Sequence, residues 1–239
     1  MKEMLKRLLK LSPIPLSKNH RYDLQTNKIL NRCLAPDSNC VDVGCFKGEI
    51  LDLMLNKSPS GVHYGIEPIP KFYKYLSDKY QAASNCHIVN CAASNHKGTS
   101  SFNYVTSNPS YSGLLKRNYD RPNEQDTEIT VETCLLDDII PAELRIDLIK
   151  IDVEGAELRV LEGAGRILSD FQPVVIFEHG LGASDIYGNT PGDVFSLFGK
   201  YNMKISTLSA YLKNQAPLAR AQFETQYRDS INYYFIAHR

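Results

Sequence analysis

What this 239-residue chain lacks narrows its function first. It has no excess charge of either sign, because 27 Lys and Arg balance 27 Asp and Glu. A polyanion binder carries a basic surplus or stripe, so nucleic acid is not an expected partner. No apolar run approaches the roughly 18 residues of a membrane span. None of the six cysteines, Cys33, Cys40, Cys45, Cys86, Cys91 and Cys134, forms the C-x-x-C pair used by zinc and redox sites. Buried free thiols are the expectation. Met1 to Leu16 also lacks the continuous apolar stretch of a secretory signal, so a reducing cytoplasm is expected.

What is present is ordinary for a folded chain. Hydrophobic residues at 43% and charged residues at 23% exclude a disordered or fibrous chain. At about 150 residues per domain the length gives one large domain with an addition. The expected division is an N-terminal helical extension over 1–20 and one domain over 21–239. The segment Met1 to Lys10 puts Leu5, Leu8 and Leu9 on one helical face opposite basic residues. Such a helix can lie on a membrane, but docking on its own domain or a second copy is commoner. A homo-oligomer is therefore entertained, and membrane contact by residues 1–12 is not expected.

From Cys40 onward short β-branched runs alternate with helical patterns, the signature of a parallel sheet covered on both faces. Strands are expected at 41–43, 62–66 and 87–91, with helices at 48–56 and 71–80; Phe72, Tyr75 and Leu76 of the latter should point inward. Two strands, 99–105 and 128–133, flank a turn-rich stretch and suggest an inserted hairpin. A short helix at 135–140, a strand at 147–153, a helix at 156–168 and a strand at 173–177 follow. Thr190-Pro191-Gly192-Asp193 announces another helix, with Thr190 as cap and Pro191 at its first position. Strands at 203–208 and 231–237 close the chain around a polar segment, 209–229.

The chemistry gathers at strand ends. Val41-Asp42-Val43-Gly44-Cys45-Phe46-Lys47-Gly48 has two glycines bracketing three residues, at the sheet edge where open α/β folds bind ligands. The nicotinamide fingerprint G-x-G-x-x-G fails, since Phe46 follows two after Gly44, and no G-K-[ST] of a phosphate-binding loop is present. The second strand ends Gly65-Ile66-Glu67-Pro68, and a carboxylate there, roughly 20 residues past the turn, is the device that grips ribose hydroxyls. Pro68 holds Glu67 extended. In Lys150-Ile151-Asp152-Val153-Glu154-Gly155-Ala156-Glu157, alternation puts Lys150, Asp152 and Glu154 on one face of a strand that should be apolar. They read either as an internal ion-pair set or as the place where a transferred group meets its acceptor. Phe177-Glu178-His179-Gly180 adds a carboxylate and an imidazole that titrates near neutrality, a candidate general base. Asp152, Glu178 and His179 together could hold a hard divalent cation such as Mg²⁺.

These motifs, with Asn-Cys-Ala-Ala-Ser-Asn at 90–95 and Leu-Asp-Asp at 136–138, resemble the FkbM-type family of S-adenosylmethionine-dependent methyltransferases. The resemblance implies an α/β, Rossmann-like class I methyltransferase fold: a seven-stranded, mostly parallel sheet whose last strand is antiparallel. It implies methyl transfer to hydroxyl groups of sugars, glycans and natural products, with S-adenosylmethionine as cofactor. By the same likeness Asp42, Gly44, Cys45, Phe46 and Gly48 shape the cofactor cleft, Glu67 and Pro68 sit at its ribose, Cys91, Ala92 and Ala93 lie by the adenine, and Asp152 borders it. The expected catalytic set is Asp152, His179, Lys150, Glu154 and Glu178, with His179 or Asp152 as base. Tyr111, Ser112, Gly113 and Tyr119 of the insertion are expected to form an acceptor wall or lid. A nicotinamide-dependent oxidoreductase and a non-catalytic cofactor-binding scaffold are the alternatives.

Overall fold

The computed structural model describes residues 14–119, 121 and 123–239, so the helix expected over 1–10 lies outside the described residues. In chain order the strands are β1 (Cys40–Val43), β2 (His63–Ile66), β3 (Cys86–Val89), β4 (Ala92–Ala93), β5 (Gly98–Val105), β6 (Asp126–Cys134), β7 (Leu148–Ile151), β8 (Val174–Glu178), β9 (Lys204–Thr207) and β10 (Tyr234–His238). The α-helices are α1 (Lys18–Cys33), α2 (Glu49–Lys57), α3 (Pro70–Tyr80), α4 (Leu136–Ile139), α5 (Glu157–Glu162), α6 (Gly165–Asp170), α7 (Pro191–Lys200), α8 (Leu208–Leu212) and α9 (Arg220–Arg228).

Seven strands form one sheet in the order β3-β2-β1-β7-β8-β10-β9. Neighbours pair in parallel except β10, which is antiparallel to both β8 and β9. The central strands β1 and β7 are buried at every position, as strands covered on both faces must be. Side chains alternate between the faces. On one, Val41, Ile149 and Phe177 pack against Leu161, Ile167 and Phe223 of the helices beyond β7. On the other, Cys40, Leu148 and Ile176 pack against Ile29, Leu51 and Leu76 of α1, α2 and α3. The result is three layers with two cores.

The inserted hairpin is present. β5 and β6 pair antiparallel from Gly98↔Thr133 to Val105↔Asp126, and β4 joins β6 in parallel to make a separate three-stranded sheet. The start of α7 is also as expected. Thr190 accepts from the Asp193 N–H, and the Asp193 carboxylate accepts from the Thr190 N–H.

Other expectations are corrected. The helix over 156–168 is two helices, because Gly163 and Ala164 break it and the Asp137 carboxylate accepts the N–H groups of Arg166 at 2.7 Å and Ile167 at 3.1 Å. An acid on those N–H groups starts a fresh helix. Gly163 is required there, since a Cβ would lie 2.0 Å from the Ser94 carbonyl oxygen. Tyr75 is 50% exposed rather than inward. The polar segment before the last strand contains α8 and α9, and that strand begins at Tyr234 rather than 231. The thiol expectation also fails in part. Cys91 and Cys134 form a disulfide, and Cys33, Cys40, Cys45 and Cys86 are free. The pairing of β4 with β6, Ala93 opposite Cys134, brings residue 91 within reach. No described helix is long and apolar enough to cross a membrane.

Alkylation of the denatured protein without reductant should therefore label four thiols, and six after reduction, read by intact mass. Six labels without reductant would contradict the pairing.

Candidate active site

A cleft of about 800 Å³, including its open mouth, runs along the carboxyl edge of β1, β2 and β7. Its floor begins at the turn after β1. Gly44 has φ +77°, and a Cβ there would sit 2.0 Å from the Asp152 carbonyl oxygen, so only glycine lets the β1 and β7 ends approach so closely. Phe46 also adopts a positive φ, 48°, which turns its N–H onto Glu67 Oε2 at 2.9 Å. The Ile69 N–H donates to Glu67 Oε1 at 2.9 Å. Each carboxylate oxygen is thus fixed by one backbone donor and keeps a lone pair for a hydroxyl on the cleft side. Burial outweighs these two bonds and pushes the Glu67 carboxyl up to about 7.

Of the residues expected at the cofactor, Gly44, Phe46, Glu67 and Pro68 line this cleft, as do Cys91, Ala92, Ala93 and Asp152. Together with Ile66, Ile69 and Phe102 the small side chains at 91–93 make an apolar slot that suits a planar base. Three expected residues lie beneath it instead. Cys45 packs its side chain into the core with Leu51 and Met54. Gly48 is left-handed, with φ +76°, and leaves room for Tyr80, whose hydroxyl donates to the Gly48 carbonyl at 3.0 Å. Asp42 is buried on the α2 side of β1, opposite Lys150 in register, and burial pushes it up to about 7.

A second, larger chamber of about 1690 Å³ opens beside the first. It draws on α1 (Asn19, Tyr22), the insertion (Tyr111, Arg117) and the segment entering β10 (Tyr233, Tyr234). Asp152 and Glu154 line both cavities, and Glu178 lines the chamber. Here the three charges seen in the sequence find partners. The Lys150 ammonium, buried below, donates to Asp152 Oδ2 at 3.2 Å, and the Tyr234 hydroxyl donates to the same oxygen at 2.5 Å. Arg117 pairs with Glu154. About a third of the Asp152 side chain, 35%, stays open to the cavities. Burial opposes its ionisation, but Lys150, then the hydroxyl of Tyr234 and the carboxyl of Glu178, hold it below the usual carboxylate range. Glu178 goes the other way: burial and the Asp152 charge push it well up, so it stays protonated and donates to Asp152. Burial, then Asp152, pushes Glu154 up to about 8.

His179 is not at this site. Its side chain is 1% exposed and stacks on Tyr227 at 4.8 Å and Phe223 at 5.9 Å, and Nε2 has no hydrogen-bond partner. Burial lowers it to about 4, so it is neutral. Strand alternation explains the correction, because Glu178 takes the chamber side and its neighbour takes the core. The cation set of Asp152, Glu178 and His179 is corrected with it. The carboxylates that converge are Asp152, Glu154 and Glu178, with oxygens within 4.8 Å of one another, and two of them already have Lys150 and Arg117 as counter-charges. Within the insertion, Tyr111 lines the chamber and Ser112 the cleft, whereas Gly113 pairs with Asn103 and Tyr119 donates to Asp126 inside the hairpin. Sequence reasoning missed Tyr22, Arg117, Tyr233 and Tyr234. Only the tyrosines beside the last strand carried a signal, as polar residues entering a buried run.

An open sheet in this order, with a glycine turn after β1 and an acid at the tip of β2, is the fold of class I S-adenosylmethionine-dependent methyltransferases. Residues 42–205 match the family described as the methyltransferase FkbM domain, and the chain belongs to that family. It is 30% identical over 174 residues to the methyltransferase sdnD of Sordaria araneosa, across 61% of this chain; it spans 64% of the length of that curated relative. Among solved structures, the FkbM methyltransferase of Methylobacillus flagellatus KT superposes with TM-score 0.52 at 17% identity, over 86% of this chain and 44% of that one. Geranyl diphosphate C-methyltransferase of Streptomyces coelicolor A3(2), solved with Mg²⁺, geranyl diphosphate and S-adenosyl-L-homocysteine, superposes with TM-score 0.50 at 12% identity, over 98% and 86%. These two likenesses concern the fold.

If Glu67 receives ribose hydroxyls, its ionised form would accept them more strongly than the neutral acid, so affinity for S-adenosylhomocysteine should rise as pH increases through about 7. Glu67→Gln should weaken binding about ten-fold or more at pH 8, the loss of a charge-assisted pair of bonds, and flatten that rise. Calorimetry between pH 6 and 8 reads both. A pH-independent affinity for the unaltered protein would remove Glu67 from the binding role.

Proposed function

We propose that this chain transfers a methyl group from S-adenosylmethionine to a hydroxyl oxygen of a sugar, glycan or other natural-product acceptor. The observation that carries the reading is the shared wall: Asp152 and Glu154 line both the apolar cleft below Glu67 and the polar chamber beside it. Glu67 would hold the ribose hydroxyls and the 91–93 wall the adenine. The bound cofactor supplies a methyl carbon on a positively charged sulfur, which is reactive without help from the protein. The protein's share is placement, and alignment of a near-attack pair is worth about 7–11 kcal/mol of barrier.

An alcohol must also lose its proton as its oxygen bonds to carbon. Asp152 is ionised and open to both cavities, and it accepts that proton as the new bond forms. A strong base is not required, because the alcohol becomes acidic as its oxygen acquires the methyl group. Lys150 and Tyr234 fix Oδ2, and the protonated Glu178 completes the set. They position Asp152. The sequence match to sdnD, a methyltransferase by name, supports the transferase reading, and membership in the FkbM family weighs against the nicotinamide alternative.

Asp152→Asn keeps the shape and removes the proton acceptor, so turnover should fall by about 10²–10⁴-fold with S-adenosylhomocysteine affinity nearly unchanged. His179→Leu should keep turnover within a few-fold. Methylated product by mass spectrometry, across a panel of glycosides and hydroxylated natural products, provides the readout. Full turnover by the Asp152→Asn variant would remove that residue from catalysis. Cofactor binding with no product from any acceptor would favour the scaffold alternative.

A further inference from the structure

The described chain exposes six large hydrophobic side chains: Ile14, Leu16, Tyr75, Leu115, Leu181 and Ile231. Isolated exposed apolar residues are normal, so their number means little. Their placement is informative. Leu181 lines the large chamber, and Ile231 lies between Ser230 and Asn232, both of which line it. Leu16 precedes the lining residues Lys18 and Asn19 by two and three positions, and Leu115 precedes Arg117 by two. Space closes the circle as well as sequence. Lys18 donates to the Ser230 carbonyl, which joins the Leu16 and Ile231 sides, and the Arg117 guanidinium lies beside Gly182, next to Leu181. Four of the six thus belong to this opening or lie within two positions of a residue that lines it: Leu181 itself, with Leu16, Leu115 and Ile231 beside lining residues; Tyr75, on α3, stands apart.

The interior of that opening is different in kind. It presents hydroxyls and charges: Tyr22, Tyr234, Asn232, Asp152, Glu178 and Arg117. Its enclosed part, about 720 Å³, lies within the roughly 300–1,000 Å³ of small-molecule sites and has room for a sugar-sized head group. A polar well with an apolar rim matches a ligand that is itself divided. We propose that the acceptor is an amphiphile, a hydroxylated head group carrying an apolar chain or ring system, with the head in the chamber and the apolar part on Leu16, Leu115, Leu181 and Ile231. This deepens the reading above and rests on it, since the head group is the part methylated beside Asp152. A free hydrophilic sugar would leave the rim uncovered.

The test compares methyl and octyl glycosides of glucose, mannose and fucose, each octyl compound held below its critical micelle concentration. Binding is measured by calorimetry on the full chain saturated with S-adenosylhomocysteine, so that head-group recognition and rim contact are read without turnover. At least one octyl glycoside should bind about ten-fold or more tightly than its methyl partner, which the burial of about two methylene groups supplies. In the triple variant Leu16→Ser, Leu115→Ser, Ile231→Ser that ratio should fall to within two- or three-fold, and in Tyr75→Ser, away from the mouth, it should stay. All four sites are exposed, so the variants fold. Octyl glycosides that bind no more tightly than methyl ones, or not at all, overturn the proposal, as does an unchanged ratio in the triple variant. The titration of S-adenosylhomocysteine that precedes each run reports on the cofactor reading by itself.

Discussion

The site depends on keeping Asp152 charged at the end of a sheet interior. β1 and β7 are buried along their whole length, and their register sets Asp42 opposite Lys150 on the α2 face. Taken alone, a carboxylate in such surroundings would be protonated, as the upward shifts of Asp42, Glu67 and Glu157 illustrate. Asp152 is the exception because a buried ammonium and a tyrosine hydroxyl meet one of its oxygens. Tyr234 reaches it from the antiparallel last strand, which the register places next to β8 with Tyr234 opposite Glu178. The strand order and the ionisation state of one side chain are therefore the same fact at two scales.

Around that point the chain assembles two cavities from different kinds of structure. The cofactor-type cleft is built from strand ends and tight turns whose backbone N–H groups fix Glu67, so it is rigid and local in sequence. The chamber is built from what surrounds the sheet: the first described helix, the hairpin loop and the approach to the last strand. Glu157 ties the junction. Its carboxylate accepts from the N–H groups of Val153 and Gly155, which holds the turn carrying Glu154 against the hairpin side. The disulfide from Cys91 to Cys134 fastens the root of that hairpin to the apolar wall of the cleft.

The division between cavities is also the division between what was and was not legible. Strand runs, the Gly44 turn, the Glu67 tip and the Lys150 to Glu157 stretch each carry their meaning within a few residues, so the alternation of strands and helices and most of the cleft lining could be read directly, whereas the strand order, set by contacts far apart in the chain, could not. Cys45 and Gly48 belong to the same turn but face the core, a distinction of side-chain direction that spacing does not encode. His179 misleads for the same reason, since one residue along a strand exchanges a chamber for a core. The single helix read over 156–168 fails because its break is enforced from outside, by the Asp137 carboxylate and the Ser94 carbonyl. Tyr22, Arg117 and Tyr234 meet across 212 positions of chain, and no local pattern announces such a meeting.

The most direct measurement of the central claim is a crystal structure of the chain soaked with S-adenosylhomocysteine. The account predicts ribose hydroxyls on the Glu67 carboxylate, the base beside Ala92 and Ala93, and the sulfur turned toward Asp152 where the two cavities meet. A nucleoside bound elsewhere, or a sulfur facing away from Asp152 and the chamber, would contradict it.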